Sequence, residues 1–192
     1  MWIFGYGSLI WKPGFSYLEK RPGYIKGWKR RFYQGSYDHR GVPGSPGRVA
    51  TLLADNQCWT WGMAYEVSPA VREEILEKLD HREKGGYERY FLSVYQEPTN
   101  LEPINQEPDS EEKAPLIVVE EALVYMATPG NPHYLGPASE REIAMQVLGA
   151  EGPSGTNREY VERLALALKD AGIVDPHLFE IYEHLLSLAV SS

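Results

Sequence analysis

Trp59, Trp61, Met63, Tyr65 and Val67 put an apolar side chain at every second position. That is the period of a strand with one face buried. This part of the chain is committed to a sheet, and the sheet needs partners. Residues 28–33 and 48–53 are further candidate strands. Between them DHRGVPGSPGR carries Gly41, Pro43, Gly44, Pro46 and Gly47, which reads as a loop. Residues 1–67 therefore read mostly as strand and turn.

The character changes at Ser68. Ser68 can cap a helix, Pro69 fits its first turn, good helix formers follow, and Gly85-Gly86 stops it. Residues 88–95 and 116–127 return to strand composition. Between them, residues 97–114 are acidic, proline-rich and poor in apolar side chains, which predicts a mobile surface loop. The last third is helical. Ser139 with Glu142 and Thr156 with Glu159 match the capping box, and Asp175-Pro176 starts another helix. Strands first and helices later, without βαβ alternation, predict an α+β fold built on a mostly antiparallel sheet or barrel.

Length and charge narrow the function. The 192 residues suit one domain spanning 1–192. A net charge of −8 argues against nucleic acid or an anionic membrane as a partner. No apolar run reaches membrane-helix length, and the N-terminus lacks the basic and cleavable features of a signal peptide, so the expected location is cytoplasmic. Cys58 is the sole cysteine, which excludes an internal disulfide and a multi-cysteine zinc site. It sits among tryptophans and reads as a buried, inert thiol. The five histidines show no metal-binding spacing.

The opening WIFGYGSLIW sets a Gly-rich turn between two apolar segments. Such a turn lets a ligand approach the backbone, and it is also how strands ordinarily end. It is not a dinucleotide fingerprint: position 10 is Ile10, and Pro13 and Gly14 follow where a helix should start. Asp38 and His39 are sequence neighbours whose side chains point to opposite faces in extended chain, so they make a poor hydrolytic pair with Ser8 or Ser36. On the helix from Pro69, Glu83 falls on the face of Leu76 and Leu79. A carboxylate held in apolar surroundings has a raised pKa and can serve as a general acid and base. Alternatively the last turn frays and Glu83 meets solvent, the commoner fate of a helical glutamate.

The ordered set WIFGYGSLIW, GYIKGWKRRFYQGSYDHRGVPGSPGRVATL, WGMAYEV, LDHREKGGY, NPHYLGPA and GPSGTNREY resembles the ChaC family of γ-glutamylcyclotransferases, in its shorter, glutathione-specific form. The resemblance runs from residue 2 to about residue 165. It implies a small mixed β-barrel with flanking helices and a cofactor-independent, metal-free lyase. Such an enzyme cleaves glutathione to 5-oxoproline and cysteinylglycine, and the resemblance suggests a monomer. It implies Glu83 as the catalytic carboxylate. Substrate binding falls to the stretch Ile3, Phe4, Gly5, Tyr6, Gly7, Ser8 and Leu9, whose Tyr6–Leu9 part cradles the γ-glutamyl group. Arg40 then either pairs with a substrate carboxylate or ties down its own loop. Tyr134 either hydrogen-bonds substrate or is structural. Asp38 and His39 are read as scaffolding. The acidic stretch at 97–114 looks expanded relative to the family pattern.

Overall fold

The structure is a computed structural model that describes residues 1–82, 86–96 and 115–190. Strands β1 (Trp2–Gly5), β2 (Glu19–Ser36), β3 (Gly47–Glu66), β4 (Glu88–Tyr95) and β5 (Ile117–Met126) close into a barrel in the order β1-β3-β2-β4-β5. β1 is antiparallel to β3 and parallel to β5, so the barrel is mixed, as the family resemblance implied. The stretches read separately at 48–53 and 59–67 fall in one 20-residue strand, β3, with Val67 just past its end. Its hairpin with β2 bends at register shifts, one of them between Lys26 and Trp28, around Gly27 with φ of 84°. A β-bulge of this kind places a residue in the left-handed region that glycine reaches without strain.

Each helix starts where its capping residues lie. The Ser68 side chain accepts the Ala70 N–H over a short 3-10 turn, Pro69–Val71, which leads into α1 (Arg72–Arg82). Ser139 and Glu142 form the full reciprocal box at the start of α2 (Glu140–Gly149). At α3 (Asn157–Asp170) the Thr156 side chain accepts the Glu159 N–H, while the Glu159 carboxylate pairs with Arg40 and Arg163. Asp175 accepts the Leu178 N–H at 3.1 Å and opens α4 (Pro176–Val190). A two-stranded ribbon, β6 (Glu151–Gly152) with β7 (Gly155–Thr156), precedes α3 and was not foreseen from the sequence. The acidic segment at 97–114 lies outside the described residues.

Strand alternation divides β1 between two cores. Phe4 packs with Phe32, Leu52, Val124 and residues of α2, α3 and α4. Its neighbour Ile3 joins Val67, Ile75, Leu79 and Leu123 beneath α1. Burying an Ile or Leu of this kind contributes roughly 1.5–3 kcal/mol. The deepest residues of α1 are Ile75 and Leu79, with Leu76 half-buried at their side. Cys58 is half-buried rather than buried, because its end of the β2–β3 hairpin leaves many side chains in solvent. Its thiol is still an unreactive one: burial, then the Asp55 carboxylate beside it, pushes its pKa up. Among the described residues no helix is long and apolar enough to cross a membrane.

His177 fastens the helices to the barrel. The Phe32 N–H donates to its Nε2 at 3.0 Å, so the neutral ring donates from Nδ1 to Glu140, 2.9 Å away. Burial holds the His177 pKa below the usual histidine value, against the pull of Glu140. As pH falls below about 6.5, the unfolded chain therefore takes up this proton before the folded one does. Stability is lost as pH drops toward the folded value, with a slope of at most about 1.4 kcal/mol per pH unit. His177→Gln should be destabilised by about 1–2 kcal/mol at pH 8 and by less at pH 5. Denaturant titrations at both pH values check this; a deficit independent of pH contradicts it.

Candidate active site

The Gly-rich turn follows β1, and groups from distant parts of the chain fix its path. Gly5 lies in β1 against Met63 of β3. Residues 8–10 then form a short 3-10 helix in which the Gly7 carbonyl accepts the Ile10 N–H at 3.0 Å. The Tyr6 carbonyl accepts from Arg30 Nε at 2.9 Å. Arg30 is buried and also pairs with Asp175 at 2.7 Å, linking the turn to the start of α4. The Tyr65 hydroxyl donates to the Leu9 carbonyl at 2.7 Å. Burial, then the nearby Tyr17, pushes its pKa up to about 12, so it remains a donor at any physiological pH. The Tyr6 hydroxyl donates to the Tyr125 carbonyl at 2.9 Å. Tyr125 in turn donates from its own hydroxyl to Asp80 of α1 at 2.7 Å. Asp80 pairs with Arg89, and its carboxyl is held below the usual range by Arg89 and then Tyr125.

These contacts engage carbonyls of the turn rather than its amides. Among the described residues no acceptor meets the backbone N–H of Gly7 or Leu9. The glycines are demanded by packing. A Cβ on Gly5 would lie 2.4 Å from the Leu9 Cβ, and one on Gly7 would lie 2.7 Å from the Tyr160 hydroxyl. Each distance is too short for a Cβ atom, so the turn keeps this shape only with glycine at both positions. Neither residue has a positive φ. Close approach of neighbouring atoms, rather than left-handed backbone, excludes side chains here.

The turn forms one wall of a cavity of about 270 Å³, just under the common small-ligand range of about 300–1,000 Å³. Phe4, Gly5, Tyr6, Gly7, Ser8 and Leu9 all line it, as does Arg40. Arg40 is buried and committed: its Nη1 donates to the Thr156 carbonyl at 2.9 Å and to Glu159 at 2.7 Å. It ties the 37–46 loop to the start of α3. Ile3 does not line the cavity; it is fully buried beneath α1. Tyr134 is also absent from the wall. It bridges to Gln34 through its backbone, and its hydroxyl, pushed up in pKa by burial, neighbours Tyr33 and Arg48. Glu83 lies outside the described residues, while Tyr87, just beyond it in sequence, lines the cavity. Among the described residues no cluster of His, Cys, Asp and Glu suits a metal ion.

Sequence reasoning missed several lining residues. Asp38 and His39 reach the cavity, although His39 also braces the loop, with Nδ1 3.2 Å from the Ser154 hydroxyl. Tyr160 comes from α3 and Gln34 from β2. The Gln34 Nε2 donates to Asn131 Oδ1 at 3.1 Å. That oxygen already accepts the His133 N–H at 2.8 Å, which fixes the orientation of both amides. The Gln34 Oε1 is buried and has no partner among the described residues. The period-two pattern could have placed Gln34 on an inward face, but nothing local signals that this face meets the turn.

The described site thus offers a braced, glycine-dependent turn on the wall of a cavity rich in aromatic groups. The family model described as ChaC-like protein matches residues 1–188. A Danio rerio protein named glutathione-specific γ-glutamylcyclotransferase 1 is 45% identical, across 97% of this chain and 89% of its own length. A Homo sapiens protein of the same name is 42% identical, across 95% and 77%. A crystal structure of a γ-glutamyl cyclotransferase specific to glutathione from yeast superposes with a TM-score of 0.84 at 32% identity, covering 97% of this chain and 96% of the other. With its barrel, its turn and almost its whole length matched, the chain belongs to the ChaC-like protein family.

Proposed function

We propose that the protein is a glutathione-specific γ-glutamylcyclotransferase, a lyase that releases 5-oxoproline and cysteinylglycine. The observation that carries this reading is near-full-length similarity, at 42–45% identity, to proteins bearing that name. The geometry of the turn supports it. The γ-glutamyl carbonyl lies against the N–H groups of Gly7 and Leu9, which stabilise the oxyanion that develops there. The same wall, Phe4 to Leu9, folds the glutamyl chain so that its α-nitrogen approaches its own γ-carbonyl.

In the proposed mechanism Glu83 takes a proton from the α-ammonium, and the freed amine attacks the γ-carbonyl. A C–N bond forms and closes the five-membered ring. As the oxyanion collapses, the bond to the cysteinyl nitrogen breaks and Glu83 returns the proton to that nitrogen, while the ring nitrogen, cationic after its attack, gives up its second proton, which the departing amine takes up to leave as an ammonium. Atoms balance without water, and the protein contributes no nucleophile. In this reading residues 1–192 form one catalytic unit that acts as a cytoplasmic monomer without a cofactor. Ile3 supports the turn from below. Tyr134 and Arg40 serve the site through the elements they hold.

Incubation with glutathione and, separately, with γ-glutamyl-alanine, following 5-oxoproline, tests the substrate assignment. Glutathione is expected to be the better substrate by at least about tenfold in kcat/KM, the discrimination that roughly 1.4 kcal/mol of transition-state binding provides. Preference for the dipeptide overturns the assignment.

A further inference from the structure

We infer that Lys12 is the specificity-determining residue that binds the C-terminal carboxylate of the tripeptide. This inference rests on the proposed function and deepens it.

Lys12 lines the same cavity as the Gly-rich turn, and its residue is exposed. Its backbone N–H donates to the Ser8 carbonyl at 2.9 Å, so it stands one helical turn beyond the turn. The other charged or titratable lining groups are spoken for or carry the wrong sign. The Arg40 guanidinium is paired with Glu159 and bonded to the Thr156 carbonyl. His39 is held by Ser154, and the His133 ring packs against Tyr37 with centroids 4.7 Å apart. Asp38 would repel a carboxylate. Among the described residues Lys12 makes no ion pair, so it is the cation of this wall that is not already held by a carboxylate, in a chain of net charge −8.

The spacing suits a tripeptide. With the γ-carbonyl held at the 5–9 turn, the cysteinyl and glycyl residues span at most about 7 Å to the terminal carboxylate. Positions four apart on a helical turn have Cβ atoms about 5–6 Å apart, and the four-carbon lysine stem adds adjustable reach. A γ-glutamyl amino acid carries its carboxylate one residue, about 3.5 Å, nearer the reacting centre. It would draw the ammonium inward or lose the pair. A point charge at the mouth also attracts an anionic substrate from solution, and salt screens that attraction.

The test is a cycle of two enzymes and two substrates. Wild type and Lys12→Met are assayed with glutathione and with glutathione whose glycine carboxylate is an amide. The side chain bonds to nothing else in the described structure, so folding should be unchanged, and thermal unfolding checks that. Lys12→Met should raise KM for glutathione about fivefold with kcat within about twofold, the scale expected of an exposed ion pair. The amide should show the same KM with both enzymes. Raising salt should weaken glutathione binding to wild type and leave the variant nearly unaffected. Equal KM changes for the two substrates, or none for either, overturn the assignment of Lys12. A wild-type enzyme that releases no 5-oxoproline from glutathione overturns instead the functional reading on which it rests.

Discussion

Glu83→Gln is expected to abolish 5-oxoproline release, with a loss of at least about 10²–10⁴-fold, the usual range for removing a general acid and base. An amide can neither accept the ammonium proton nor return one to the departing nitrogen. Both halves of the reaction fail together, so kcat should collapse while glutathione still binds. The change keeps size and shape and removes one charge. The variant should therefore stay folded, which thermal unfolding checks. Single-turnover assays with isothermal binding separate the two quantities. Near-normal turnover in the folded variant removes Glu83 from the mechanism.

Gly7→Ala should be the other severe loss, for a reason visible in the packing. The new Cβ would sit 2.7 Å from the Tyr160 hydroxyl. Tyr160 cannot retreat easily. It is buried, packs edge-on against Trp11 at 5.4 Å and Phe32 at 6.1 Å, and accepts the Ala50 N–H. The turn must move instead, carrying the Gly7 and Leu9 N–H groups with it. Overpacking of this kind costs about 1–3 kcal/mol of stability. A donor displaced by several tenths of an ångström to 1 Å should cost about 10²-fold in kcat. Tyr160→Phe removes the clashing hydroxyl, so adding it to Gly7→Ala should restore part of the activity. No restoration would show that the turn fails for another reason.

The cycle of these two changes tests an idea that the sequence expressed only in part. The glycines of YGSL could be read as room for substrate. The structure adds that both are required by protein neighbours, Leu9 for Gly5 and Tyr160 for Gly7. Tyr160 lies 153 positions from Gly7, and only the closed barrel with α3 packed on it brings them together. The same holds for Arg30 at the Tyr6 carbonyl and Tyr65 at the Leu9 carbonyl. Polar contacts between distant strands leave no periodic trace in the sequence.

Local signals served better. The alternation at 59–67 marks β3, and the caps at Ser68, Ser139, Thr156 and Asp175 all lie at helix starts. These features depend on neighbours within four residues, which a sequence displays directly. The β6–β7 ribbon was missed because two-residue strands carry no pattern. Arg40 shows a third situation. Either reading of it, substrate pair or loop tie, was open from its Gly/Pro setting, and the structure commits the side chain to Glu159 and Thr156.

The central claim is intramolecular cyclisation rather than hydrolysis, and product analysis tests it most directly. Wild-type protein incubated with glutathione should yield 5-oxoproline and cysteinylglycine in equal amounts, with no free glutamate. Glutamate appearing in step with cysteinylglycine would mean that water, and not the substrate's own amine, attacks the γ-carbonyl, and would contradict the account.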